Sequence, residues 1–494
     1  MTSEAAIAAL AAHLRETAAL AEAAGILTWD QETSMPVKGA PMRAEQMAAL
    51  EAAVHARRAD PRIPDWAEAM GDDLTPAQAA NRREALREHS RATKIPLRLA
   101  TALARETSAA HEVWVAAKNA GRFADFAPTL GRILDLKREE AACLSDTGAD
   151  LYDALLQDFE PGLTTEACAD LLGALRPGLS ALRAAIAECP APPMPQGPFA
   201  HAAQMAFARE LATCFCYDWD AGRLDIAVHP FSMGRGTDVR ITTKVNLDTP
   251  FECMFSTIHE AGHAVYEQRI DPSLALTPAG TEASMGVHES QSRLFENQIG
   301  RSRAFAQWLW PRFEAHFGAS GLDGPDALWR AANRVETGFR RTEADEVHYN
   351  LHVLLRFDLE RALISGDLAL ADLEAAWNDR FAADFGREVP HAGLGVLQDV
   401  HWSAGLFGYF PTYSIGNIYA GCLFAALNAA EPDLDTRIAA GALHGPIDWL
   451  TQNIHRHGRM LPATELIETA TGAPPTPAPL LAYLEAKYTA LYAL

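Results

Sequence analysis

Two histidines four residues apart, in His259-Glu260-Ala261-Gly262-His263, constrain this chain more than any other feature. Four residues carry an α-helix through nearly a full circle, so on a helix both imidazoles lie on one face and reach a single ion. The intervening glutamate then projects beside the metal, where a water would sit, which is the arrangement of zinc hydrolysis. The preceding residues supply the helix. Thr249 is an N-cap, Pro250 suits the first position, and Glu252 completes a Ser/Thr-x-x-Glu capping box. Phe255, Ile258, Gly262 and Val265 provide a packing face.

Around this helix the periodicity predicts a mainly α, single helical unit with a small β-sheet beside the zinc helix. Helices are expected at 3–24, where Gly25 reads as a stop, and at 41–58, 127–145 and 164–188. Another opens at Thr75-Pro76 and is interrupted at Pro96. Cys189 to Pro198 holds five prolines and reads as an extended linker, dividing a helical subregion of about 1–188 from a catalytic region of about 199–494 within one domain. A helix at 199–219 precedes the β-branched run Val239 to Val245, the centre of the expected sheet between 224 and 247. Long helical patterns then cover 284–315, 325–364 and 370–385.

A net charge of −22 sets the whole field against phosphate backbones and anionic lipid, so nucleic acid and membrane surfaces are excluded as partners. Recognition of an anionic group therefore requires locally placed Arg or Lys. The seven cysteines are odd in number and scattered, which points to a reducing compartment and buried thiols. The N-terminus lacks the pattern of a signal peptide, and no apolar run approaches a span of about 20 residues, so a soluble cytoplasmic protein is expected.

Catalytic zinc takes three protein ligands and leaves a fourth position for water. Tyr266 and Arg269 stand where a third-histidine pattern requires Gly and His, so a carboxylate must close the site. Among Glu267, Asp271, Glu282, Glu289 and Glu296, the best placed is Glu289, at the start of the next helix in the polar run His288-Glu289-Ser290-Gln291. The ligand set is then His259, His263 and Glu289, with Glu260 as general base toward a metal-activated water and His288 supporting from behind.

Taken together, these motifs resemble the carboxypeptidase Taq family of metallocarboxypeptidases. The resemblance extends to His229-Pro230-Phe231, to Asp238, Arg240 and Thr242, to Gly395, Gln398, Asp399, His401 and Trp402, and to Trp29-Asp30, so it spans nearly the whole chain. It implies a helical fold with a deep active-site cleft, one zinc ion per chain that cobalt can replace, a cytoplasmic homodimer, and removal of C-terminal residues from peptides with broad specificity. In related helical peptidases a histidine and a tyrosine of a later segment stabilise the oxyanion. Here they are expected to be His401 and Tyr413, with Tyr409 and Tyr419 as competitors. Arg341, or alternatively Arg240, is the expected fork for the substrate's free carboxylate, with Asp238 and His229 beside them. Asp399 is expected to orient His401 or a ligand histidine. Two other readings use the same zinc helix: an oligopeptidase cutting internal bonds, and a peptide-binding scaffold with structural zinc. The second is disfavoured by the intact Glu260 and by only three good ligands.

Overall fold

The computed structural model describes residues 1–145 and 149–494. The fold is mainly α with one three-stranded sheet, and the chain builds two compact units from alternating segments. The first unit opens with α1 (Ser3–Thr33), α2 (Ala40–Arg58), α3 (Arg62–Ala69) and α4 (Pro76–Lys94). The second takes α5 (Leu97–Ala120), α6 (Ala127–Leu144), α7 (Leu151–Leu156), α8 (Thr165–Gly173) and α9 (Leu175–Ala187). The chain returns to the first unit for α10 (His201–Cys214), β1 (Leu224–Ile226), β2 (Ser232–Arg235) and β3 (Asp238–Thr243). Helices α11 (Phe251–Gln268), α12 (Met285–Arg293), α13 (Arg303–Phe317) and α14 (Pro325–Ala332) follow in that unit. Helices α15 (Glu346–Ser365) and α16 (Leu373–Phe385) belong to the second unit, and α17 (Pro411–Ala430) holds residues of both. Finally α18 (Leu434–Ala440), α19 (His444–Asn453) and α20 (Ala463–Thr471) complete the first unit, and α21 (Ala478–Tyr492) the second. Each unit draws on both sides of the proline-rich stretch, which contains neither helix nor strand. Among the described residues no helix is long and apolar enough to cross a membrane.

Several boundaries differ from the sequence reading. Helix α1 does not stop at Gly25 but continues to Thr33. Gly25 lies in helical backbone there, packed beside Met233 of β2. The extension buries Trp29 against Phe231, with ring centroids 5.3 Å apart. The expected helix at 284–315 is divided: α12 passes into a π-helical segment at Leu294–Gly300, and α13 restarts on the Ser302 cap. The pattern at 325–364 breaks after α14, where the Asn333 amide bonds back to the Trp329 carbonyl, and resumes when Asp345 caps α15.

The sheet has the order β1-β3-β2, with β1 parallel and β2 antiparallel to β3. Its centre, β3, buries Val239 and Ile241 and ends on Thr243. That hydroxyl donates to the Cys253 carbonyl at 3.1 Å and receives the Thr257 hydroxyl at 3.0 Å, fastening α11 to the sheet. The helix starts at Phe251 without a capping box. Lys244 and Asn246 take the Glu252 carboxylate instead, at 2.6 and 3.2 Å, because a cation and an amide on the incoming loop offer stronger partners than a helix N–H. Most α11 side chains are buried, Glu260 and Glu267 among them, while His259 and His263 are half-buried.

Helix α12 crosses α11 at Gly262. A Cβ on that glycine would stand 2.6 Å from Ser292 Cα and 2.7 Å from the Gln291 carbonyl oxygen, both of them backbone. Gly262→Ala is therefore expected to force the helices apart, costing about 1–3 kcal/mol of stability and weakening metal binding through Glu289. Denaturant unfolding and a metal titration check this, and unchanged values for both would refute the close-approach argument.

Candidate active site

In the first unit the crossing of α11 and α12 brings together the three residues read from the sequence as metal ligands. One donor atom each from His259, His263 and Glu289 lie within 4.8 Å of one another. Glu289 Oε2 is 3.7 Å from His259 Nε2 and 3.4 Å from His263 Nε2. Tetrahedral bonds of 2.0–2.2 Å place neighbouring ligand atoms about 3.4 Å apart, so these donors fit a zinc-sized ion and leave a coordination position open. Two imidazoles and one carboxylate also match the preference of such an ion for nitrogen and oxygen donors.

The supporting residues fix each ligand. His259 Nδ1 donates to Glu296 Oε2 at 3.0 Å, since an ionised carboxylate only accepts, and this turns Nε2 toward the other ligands. Glu296 is held in turn by Arg301 at 3.0 Å. Arg293 Nε donates to Glu289 Oε1 at 2.6 Å and the Ser292 hydroxyl to Oε2 at 3.1 Å. Burial works against ionisation of Glu289, but Arg293 and His259 outweigh it and hold the carboxyl well below the usual range. Burial likewise opposes Glu296, which the His259 bond and Arg301 bring down to about 2. For His259, burial would lower the pKa, and Glu289 and Glu296 reverse the sign and raise it. His263 is pushed down to about 3 by burial and by His288, and so stays neutral and able to ligate. The His288 ring stacks on His263 at 4.2 Å and 15°, with its own Nε2 3.3 Å from Glu267 Oε1. Glu260 is 6% exposed, and burial pushes its pKa up to about 7.

Beside these residues the first unit holds an open cavity of about 450 Å³ whose lining includes Glu22, Trp29, Arg235, Glu267 and His288. Asp238 and Arg240 also line it, and they grip each other through two bonds of 2.7 and 2.8 Å. His229 is exposed and does not line this cavity.

The second unit gathers the remaining predicted residues. His401 Nε2 lies 3.4 Å from the Tyr413 hydroxyl, and burial brings His401 down to about 4, leaving it neutral. Arg341 sits over the Tyr413 ring at 4.6 Å. Its guanidinium donates to Asp399 Oδ1 at 3.1 and 3.2 Å and to the Tyr349 hydroxyl at 3.1 Å. Asp399 does not orient His401. Its second oxygen accepts from Arg356 Nε at 2.7 Å, so two arginines occupy it, while among the described residues His401 Nδ1 has no hydrogen-bond partner. Tyr419 is fully buried with its hydroxyl on Glu160, which makes it a core residue.

Sequence reasoning found His288 but missed the rest of the supporting set. Glu296 was weighed only as a ligand, although it lies two turns beyond Glu289 on the same face, and Arg293 follows Glu289 at i+4. The π-helical segment that aims Glu296 had no signal in the pattern.

The model of the carboxypeptidase Taq (M32) metallopeptidases matches residues 9–488. The chain belongs to this family. It is 41% identical to thermostable carboxypeptidase 1 of Thermus thermophilus, with both chains fully covered. Carboxypeptidase 1 of Bacillus subtilis is 33% identical over 97% of each chain. Among solved structures, the M32 carboxypeptidase of Deinococcus radiodurans superposes with a TM-score of 0.95 at 36% identity, covering 99% of this chain and 100% of that one. As an M32 metallopeptidase this chain is a metallocarboxypeptidase, and its family implies a divalent metal.

Removing the orienting carboxylate tests the centre. Glu296→Ala is expected to weaken metal binding by about 10–100-fold while leaving helix content unchanged. A competition titration against a chelator measures this, and an unaltered affinity would show that Glu296 does not set the His259 ring.

Proposed function

We propose that the enzyme is a zinc-dependent exopeptidase that removes C-terminal residues of broad type from peptides, with Glu260 as its general base. The observation that carries this reading is the convergence of His259, His263 and Glu289 beside a buried Glu260 whose pKa is brought near neutrality. Zinc bound by these three residues would polarise the scissile carbonyl and make a water nucleophilic near neutral pH, and cobalt suits the same donors.

Glu260 accepts a proton as the water oxygen bonds to the carbonyl carbon. It returns that proton to the amine nitrogen as the C–N bond breaks, and a pKa near 7 suits both transfers. In this reading His401 and Tyr413 donate hydrogen bonds to the carbonyl oxygen as it gains charge. Arg341 binds the substrate's terminal carboxylate. Support comes from local charge: Arg341 and Arg356 share a single carboxylate, Asp399, and the Lys118 ammonium bonds the neighbouring Gln398 carbonyl at 2.8 Å. Glu360 beside Arg356 offsets part of this positive charge, and what remains favours an anion in a chain whose net charge of −22 otherwise repels one. A cytoplasmic homodimer belongs to the same proposal, and its mass in solution checks the dimer.

Glu260→Gln is expected to retain one metal per chain and lower kcat by about 10²–10⁴-fold. Near-normal turnover in that variant would remove Glu260 from the mechanism. Amidated peptides are expected to resist cleavage, whereas equal cleavage of amidated and free peptides would identify an endopeptidase.

A further inference from the structure

Among the described residues His401 has no hydrogen bond on Nδ1, so beyond the long contact of Nε2 with the Tyr413 hydroxyl its ring is placed by packing and by its backbone. The packing is against Phe410, at 4.4 Å between ring centroids. The backbone is gripped from α15, where Arg356 and Glu360 lie one turn apart and are both fully buried. Arg356 holds Asp399, two residues before His401. Glu360 holds the other side. Its Oε1 accepts the indole N–H of Trp402, the next residue, at 2.8 Å. Its Oε2 accepts the Gly408 N–H at 3.0 Å and the Tyr152 hydroxyl at 2.6 Å.

The loop is therefore tied near both ends to one carboxylate, next to His401 and next to Tyr409. Gly408 permits this because it adopts φ +83° and approaches the backbone of α7, where a Cβ would lie 2.8 Å from Leu155. Burial pushes the Glu360 pKa up to about 7, so ionising it is costly, and a purely structural core site would be filled at less expense by an apolar residue. What this position requires is chemical. The Trp402 and Gly408 groups can only donate, so both oxygens must accept, and an amide would set its NH₂ against one of them.

We propose that Glu360 is a positioning residue for the peptidase reaction, acting through the 401–409 loop to hold His401 where it donates to the substrate carbonyl. This rests on the proposed role of His401. The test is a double-mutant cycle on the metal-loaded enzyme, using Glu360→Gln and His401→Asn singly and together. Glu360→Gln is expected to lower kcat about 10-fold with KM within about twofold and full metal content, yet to add less than about twofold in the His401→Asn background. Equal losses in both backgrounds, or no loss in either, would overturn the proposal. A His401→Asn enzyme with unchanged kcat would overturn the reading of His401 itself and the positioning role with it. Should Glu360→Gln fail to fold, Trp402→Phe, which removes one donor and keeps a smaller aromatic ring, enters the same cycle with the same outcomes.

Discussion

A carboxylate buried between two imidazoles is the constraint on which the first unit depends. Glu289 is 7% exposed, and an isolated charge there would cost several kcal/mol. It reaches the histidines because Gly262 lets α12 lie against α11. It stays ionised because Arg293 and Ser292 donate to it. His259 is then turned by Glu296, and Glu296 is matched by Arg301. Each group in this series satisfies the polarity of the one before it, so the site is held as a network and not as three independent ligands.

The two sets of predicted site residues differ in local charge balance. In the first, Glu260, Glu289 and Glu296 face two arginines, Arg293 and Arg301, and the excess favours a cation among the ligand atoms. In the second, Arg341 and Arg356 share Asp399, and the buried Glu360 beside Arg356 offsets part of the remaining positive charge, leaving a smaller excess that favours an anion. A divalent metal and a free carboxylate are the complements a metallocarboxypeptidase uses. The whole chain's negative charge makes the second imbalance the more selective one, because few other places on the protein attract an anion.

The metal ligands were legible because helical spacing is encoded locally: His259 and His263 declare a shared face without any knowledge of the fold. Glu289 was legible from its polar neighbours at a helix start. The mainly α architecture and the small sheet followed from periodicity of the same local kind. What escaped was set by tertiary competition. Glu252 reads as a cap, but Lys244 and Asn246 outbid the helix N–H groups. Gly25 reads as a stop, but it lies within α1, packed beside Met233. Asp399 reads as a partner of His401, but two arginines distant in sequence claim both its oxygens. Glu360 had no local signature at all, since its three donors come from Tyr152, Trp402 and Gly408.

The half-buried His259 and His263 and the buried Glu289 are proposed to hold the metal for stepwise removal of C-terminal residues. Mass spectrometry of a mixed peptide set tests this most directly, comparing metal-free enzyme, the same enzyme restored with one equivalent of zinc, and a Glu289→Ala variant given the same zinc. The account predicts a ladder of C-terminally shortened products with the restored enzyme alone. Equal ladders from the metal-free enzyme or from Glu289→Ala, or internal fragments in place of a ladder, would contradict it.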